Sequence, residues 1–147
     1  MRPISFSMQF RGHATWLQPG VVLARATAPS SALVTLIDDG GVHGSVEVRD
    51  GEEAHLECRL TFVDDHAFSE VGTISFGNGN ALRFRSAAEG TLTPSIDPHL
   101  RHGANVWEVD GGVGAFRGAS GRIVSNFLVS DTGDLTDHQL GLIFVAA

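Results

Sequence analysis

Apolar and polar residues alternate along most of this chain, and short turn signals separate the alternating runs. In the first run Ile4, Phe6, Met8 and Phe10 share one face, which is the period-two pattern of a half-buried strand. Residues 52–54 also suit the start of a short helix. The pattern predicts one all-β domain spanning residues 1–147. Further strands are predicted at residues 21–28, 33–37, 45–49, 55–62, 70–76, 81–87, 90–93, 104–110, 122–130 and 136–145.

Turn-forming residues join several of these strands into hairpins. The segments 38–41 (Asp-Asp-Gly-Gly) and 77–80 (Gly-Asn-Gly-Asn) each lie between two predicted strands, and glycine and asparagine tolerate the backbone angles of tight turns. Strands at this regular spacing build either a β-sandwich or a closed barrel. Closure has the advantage that it leaves no exposed sheet edge. The alternation alone leaves both architectures open.

The charged residues exclude several classes of function. The chain of 147 residues has 10 basic and 17 acidic side chains, for a net charge of −7. Such an acidic balance without an arginine cluster argues against nucleic-acid binding, which needs grouped cations. Every basic residue is Arg, and both Lys and Tyr are absent. Schiff-base, pyridoxal-phosphate and tyrosine-acid chemistries are therefore excluded.

Cys58 is the only cysteine, so the chain can form neither an internal disulfide nor a thiolate zinc site. We interpret it as a small buried hydrophobe and expect a reducing compartment. Asp97, His99 and His102 follow one another closely, but Pro98 and the loop context remove the regular face that metal ligands need. No metal is expected. No signal peptide or membrane span is evident either, which predicts a soluble cytoplasmic protein.

A glycine-dense segment covers residues 111–121, with Phe116 as its only large side chain. A dinucleotide-binding loop requires a helix after the glycines, whereas a predicted strand follows here. A P-loop is excluded because it requires a lysine. The glycines therefore favour a tight bend with close backbone approach between strands.

The spacing Gly112-x-Gly114-x-Phe116-x-Gly118-Ala119-x-Gly121 resembles a segment of the allene oxide cyclase and dirigent-protein superfamily. A looser version occurs in bacterial spirotetronate cyclases, and the resemblance extends from His102 to His138. It implies an antiparallel eight-stranded barrel around an apolar cavity, with little or no helix. Known members cyclise or isomerise oxygenated lipids and polyketides, or orient radicals. The resemblance also implies a homo-oligomer, a dimer or a trimer.

Within such a barrel, polar residues that lie on the same side of a strand as apolar ones (in the same phase) are candidate catalytic or binding residues. His138 shares its phase with Leu140, Leu142 and Phe144, and an imidazole there could move a proton. The alternative is that His138 lies at the end of its strand and forms a hydrogen bond with a loop carbonyl. Asn126 could polarise a carbonyl or could bond to the backbone.

A second group of candidates includes Glu57 and Arg59, which could act as an acid–base and an orienting cation if their phase faces the cavity. The alternative is a solvated ion pair on the outer face. Trp107 is expected to face inward because a large ring is costly to leave in water. The predicted catalytic residues are thus His138, Asn126 and Glu57. The predicted substrate-binding residues are Trp107, Arg59, Phe127, Phe144, Arg83 and His102.

These features predict a cofactor-free cyclase or isomerase that holds an apolar, oxygenated small molecule in the barrel cavity within a biosynthetic pathway. The alternative is a non-catalytic barrel that binds or orients such a molecule. A third possibility is a filled barrel that serves as an oligomeric scaffold. The side-chain volume inside the barrel separates the third from the other two.

Overall fold

A computed structural model describes residues 1–147, and strands form about three quarters of it. The only helical element is a short 3₁₀ turn at Gly114–Phe116, so residues 52–54 begin no helix. No helix of the chain is long and apolar enough to cross a membrane. The strands are β1 (Arg2–Gln18), β2 (Val21–Ala28), β3 (Ser31–Asp38), β4 (Gly41–Val48), β5 (Ala54–Phe62), β6 (Ala67–Ser75), β7 (Ala81–Ser86), β8 (Gly90–Pro94), β9 (Leu100–Val113), β10 (Ser120–Ser130) and β11 (Asp134–Val145).

The main sheet closes on itself as an antiparallel barrel. Its strands follow the order β10-β11-β1-β2-β5-β6-β7-β9, and β9 pairs with β10 to complete the ring. The short strands β7 and β8 together occupy one position in the ring, because each of them pairs with both β6 and β9. The predicted eight-stranded antiparallel barrel is therefore confirmed, and the sandwich alternative is wrong.

The remaining two strands, β3 and β4, pair only with each other. They are joined by the predicted turn at residues 38–41, and they project from the barrel between β2 and β5. Their tip leaves Ile37 and Val42 exposed. The barrel itself is completed without this hairpin.

Inside the barrel, aromatic rings lie against glycines on neighbouring strands. A side chain on Gly103 would collide with the ring of Phe127, and one on Gly141 would collide with the ring of Phe6. The predicted bend at residues 111–121 contains the 3₁₀ turn, and its Phe116 is buried with its ring centroid 5.3 Å from that of Phe76. β10 follows directly, so these glycines serve the turn and not a helix N-terminus.

Candidate active site

A cavity of about 590 Å³ lies inside one end of the barrel. Its walls come from inward-facing residues of β2, β5, β10 and β11, since side chains alternate between the two faces of each strand. The barrel is therefore not filled completely by its own side chains. The main apolar wall residues are Val22, Ala24, Leu56, Leu60, Phe127 and Leu135.

The mouth of the cavity lies between the later part of β1 and the β10–β11 turn. Residues 13–16 and 130–133 line it, and the backbone N–H of Ala14 donates to the carbonyl of Gly133 at 2.8 Å. Arg101, near the start of β9, completes the rim. The mouth thus combines polar loop groups with an arginine, whereas the walls are apolar.

Asp137 lies on the cavity wall at an inward position of β11, with only 3% of its surface exposed. Its Oδ1 accepts a hydrogen bond from Ser125 Oγ at 2.7 Å, and its Oδ2 accepts one from Gln139 Nε2 at 2.8 Å. Burial raises the pKa of Asp137 from 3.8 to about 7, against the opposing effect of these two donors. This carboxyl therefore exchanges its proton near neutral pH.

Glu70 is a second buried carboxyl on the same cavity, contributed by β6. Its Oε1 accepts hydrogen bonds from Trp107 Nε1 at 2.9 Å and from Asn105 Nδ2 at 3.1 Å. Desolvation by burial raises the pKa of Glu70, and the hydrogen-bond donors oppose that rise. The ring of Trp107 stacks on that of Phe84 with centroids 3.8 Å apart, which fixes the indole donor.

Cys58 lies beside Glu70 on the cavity wall. Glu70 pairs with Leu60 across β5 and β6, so Cys58 occupies the diagonal inward position. Burial, followed by the nearby Glu70 carboxylate, raises the pKa of the Cys58 thiol well above its usual value. The thiol is therefore protonated at neutral pH and is no activated nucleophile.

Gln139 carries the one buried side-chain oxygen in the barrel without a hydrogen-bond partner, Oε1. Its Nε2 is occupied by Asp137. Because the neighbouring carboxyl can be either protonated or ionised, the amide of Gln139 can donate to one form and accept from the other. Gln139 can therefore support both states of Asp137.

The structure places two of the sequence-predicted site residues inside the barrel. Phe127 lines the cavity. Trp107 is fully buried but lies behind Glu70 and does not line the cavity itself. The indole thus orients a cavity carboxyl instead of meeting a ligand directly.

The other predicted residues lie on the outer face, which corrects their expected position in the cavity. His138 does share a face with Leu140, but that face points outward. Asn126 bonds to His102 on the surface, and Glu57 pairs with exposed Arg25 at 3.3 Å. The outer surface of the barrel is also apolar along β11, so the apolar side of this strand is not its inner side. The outward residues are His138, Asn126, Glu57, Arg59, Arg83, His102 and Phe144.

Sequence reasoning missed Glu70, Asp137 and Arg101 as cavity residues. Each lies in phase with buried residues of its own strand: Glu70 with Phe68 and Ile74, and Asp137 with Leu135 and Ile143. A charged residue inside an apolar phase was the available signal. It was obscured because the opposite phase of β11 is at least as apolar.

Two neighbouring buried carboxyls, one of which titrates near pH 7, can donate and accept protons. No group of three or more His, Cys, Asp or Glu side chains is arranged to hold a metal ion. The two carboxyls offer a bound molecule acid–base chemistry in an apolar cavity.

No family model matches the chain, and no curated protein matches it. Among solved structures, it is similar to that of the pterocarpan synthase dirigent protein GePTS1, with a TM-score of 0.50. The two share 13% sequence identity, and the alignment covers 99% of this chain and 87% of that chain. The likeness shows a dirigent-like barrel fold, in agreement with the resemblance that the glycine-rich segment indicates.

Proposed function

We propose that this barrel is a cyclase or isomerase that binds an apolar, oxygenated small molecule in its cavity and moves protons on it without a cofactor. The observation that carries the proposal is the pair of buried carboxyls, Asp137 and Glu70, on the wall of the 590 Å³ cavity. The molecules that superfamily members cyclise or isomerise suggest polyketides, terpenoids or lipid-like compounds as substrates.

Burying a carboxylate costs the folded state several kcal/mol unless partners compensate. A barrel that served only as a scaffold would be more stable with Leu or Val at these positions. Here the chain holds two carboxyls in the lumen and supplies each with aligned donors, from β9 for Glu70 and from β10 and β11 for Asp137. Titratable groups with raised pKa values in a cleft are typical of active sites.

In the proposed reaction, Asp137 and Glu70 exchange protons with the bound molecule. When one of the two carboxyls is protonated and the other ionised, the protonated one donates its proton to a carbonyl, epoxide or enol-ether oxygen, or to an alkene carbon. The ionised one removes a proton from a carbon or hydroxyl of the same molecule, so the substrate neither gains nor loses a proton overall. The two carboxyls have then exchanged protonation states, and transfer between them or through water restores the starting state.

The cavity walls contribute the second part of the mechanism. Phe127, Leu60 and Leu135 exclude water and restrict a flexible chain to few conformers, which brings reacting atoms together. Trp107 and Asn105 orient Glu70, while Ser125 and Gln139 orient Asp137. These four are positioning residues, because none of them is the proton donor or acceptor.

The dirigent protein with the similar fold is named a pterocarpan synthase. At the identity observed, that name supports the use of this fold in small-molecule biosynthesis and gives no substrate for this chain.

The test uses nitrobenzisoxazole, a small apolar molecule whose ring opens when a base removes one proton. We expect the wild-type protein to accelerate this ring opening, with a rate that rises through about pH 7 as Asp137 ionises. Asp137→Asn and Glu70→Gln should each slow the reaction by about a hundredfold or more, the range typical of a positioned base.

Asp110→Asn is the matched control, because Asp110 is an exposed carboxylate on β9. Its rate should equal that of the wild type. Equal rates for the wild type and the two cavity variants would overturn the proposal. Stoichiometric binding of the probe with no acceleration would favour the non-catalytic carrier instead.

A further inference from the structure

Arg101 is the one arginine that lines the cavity. It lies on the inward phase of β9 together with Gly103, Asn105 and Trp107, all three of which are buried. Its neighbours across the sheet are Val129 on β10 and Pro94 on β8. The strand therefore aims a guanidinium at the mouth of an apolar cavity.

The guanidinium of Arg101 makes no ion pair with the protein. One of its groups, Nη2, donates to the backbone carbonyl of Asp65 at 3.2 Å, and this bond anchors it to the β5–β6 turn. Its remaining N–H donors stay free, and a guanidinium is suited to bind a carboxylate through two of them. The arginines that do form ion pairs with carboxylates are Arg25, Arg49, Arg85 and Arg122.

Charge is distributed unevenly along the cavity. The cation lies at the rim, whereas Asp137 and Glu70 lie deeper between apolar walls. Asp137 pairs with Phe127, and Phe127 pairs with Gly103, which is two residues along β9 from Arg101. The two-residue offset between Gly103 and Arg101 corresponds to about 7 Å along the strand, so Asp137 lies about that far inward from Arg101. One carboxylate, Asp131, also lies at the rim, and its Oδ2 is 3.5 Å from Nδ1 of His99.

From this arrangement we propose that the cavity takes an anionic amphiphile, whose carboxylate or other acidic oxygen group binds Arg101 at the mouth. The apolar body then extends inward and brings a reacting centre several carbons away to Asp137. Arg101 is on this view a specificity-determining residue. The inference rests on the cavity being the substrate site proposed above, and it adds the class of substrate and its orientation.

The opposite orientation is disfavoured by the same charges. An anionic group placed deep in the barrel would lie next to two carboxyls and would lose its water without gaining a cation. At the rim it keeps part of its hydration and gains the guanidinium. An amphiphile therefore enters with its apolar end first.

The test compares decanoate with decanol, which have the same chain and differ in the charge of the head group. Binding is measured by isothermal titration calorimetry at about pH 6, where the fatty acid is ionised. We expect the wild type to bind decanoate about tenfold more tightly than decanol, the effect of one charge-assisted contact. In Arg101→Gln this preference should disappear while the affinity for decanol stays the same.

Arg83→Gln is the control, since Arg83 is an exposed arginine on the outer face; it should leave the preference unchanged. A preference that persists in Arg101→Gln would overturn the inference, and so would an equal loss of affinity for both ligands. Failure of both ligands to bind the wild type would overturn it as well.

The nitrobenzisoxazole reaction separates the inference from the proposed function. Nitrobenzisoxazole carries no anionic head group, so its ring opening by the wild type tests the two carboxyls without the contact between a ligand and Arg101. Decanoate preference without any ring opening would mean that the catalytic proposal fails while the inference stands. Ring opening without decanoate preference would mean the reverse.

Discussion

Replacing Asp137 by Asn removes an ionisable group from the barrel interior and keeps its shape. The Asn side chain still offers Oδ1 to the hydroxyl of Ser125, and its Nδ2 can donate to Gln139 once that amide turns over. The folded structure should therefore be retained. What the variant loses is the negative charge that the wild type carries above neutral pH.

The magnitude follows from the pKa of Asp137, which lies at about 7 in the folded protein against 3.8 when exposed. Below pH 3.8 the group is protonated in both the folded and the unfolded protein and does not change the free energy of unfolding. As the pH rises above 3.8 the unfolded chain releases the proton while the folded protein retains it, so the folded state loses stability until about pH 7. A tenfold change in proton affinity is about 1.4 kcal/mol, which gives a total loss of about 4 kcal/mol.

Urea denaturation at several pH values between 4 and 8 measures this loss. The free energy of unfolding of the wild type, relative to that of Asp137→Asn, should fall by about 4 kcal/mol across this range. That is a large part of the stability of an average domain. Glu70 is present in both proteins, so most of its own pH dependence cancels in the comparison.

Asp110→Asn, which alters an exposed carboxylate, should follow the wild type at every pH. The reasoning would be refuted if the wild type and Asp137→Asn lost stability in parallel between pH 4 and pH 8. A carbon-13 titration of the carboxyl signals would then be expected to show Asp137 ionising near its usual pH.

Two further predictions concern packing. Gly103→Ala should lower the free energy of unfolding by about 1–3 kcal/mol, as measured by urea denaturation, because the added methyl group collides with the ring of Phe127. Adding Phe127→Leu to this variant should restore part of the loss. The control, Gly44→Ala, should lower the free energy of unfolding much less, because Gly44 has open space around it. The outer face of β10 and β11 is apolar around Leu140, so we expect copies of the chain to associate through it. Light scattering after gel filtration should give a multiple of the 15.6 kDa chain mass for the wild type and the single-chain mass for Leu140→Glu. A monomeric wild type would contradict this prediction.

The strands were predictable because their signal is local. Alternating residues such as Ile4, Phe6, Met8 and Phe10 specify an extended segment with two different faces, whatever the rest of the chain does. The predicted strand at residues 21–28 coincides with β2, and the segment after the glycine-rich bend is the strand β10. The glycine spacing at residues 112–121 pointed to the barrel, which the pairing of β9 with β10 confirms.

The direction of each face was not predictable from the strand itself. In β11 the residues Leu140, Leu142 and Phe144 form the more apolar phase, yet they point outward, and the inner phase contains Asp137 and Gln139. A carboxyl is acceptable inside only when donors surround it, and one of the two donors to Asp137 comes from another strand. That donor is Ser125 on β10, and no pattern within β11 reveals it.

The sequence by itself thus determined the strands and the turns, since these depend on the order of neighbouring residues along the chain. The barrel class followed from the resemblance of the glycine spacing at residues 112–121 to a known superfamily. Only the tertiary structure decided which carboxyls lie in the lumen and which lie on the surface. Glu57 and Glu70 show the difference: both lie on strands whose phases alternate, but Glu57 meets solvent and Arg25, while Glu70 meets Trp107 and Asn105. The physical reason is that burial and most hydrogen-bond donors come from other strands, such as β9 for Glu70 and β10 for Asp137, and only the packing of the strands into a barrel brings them together.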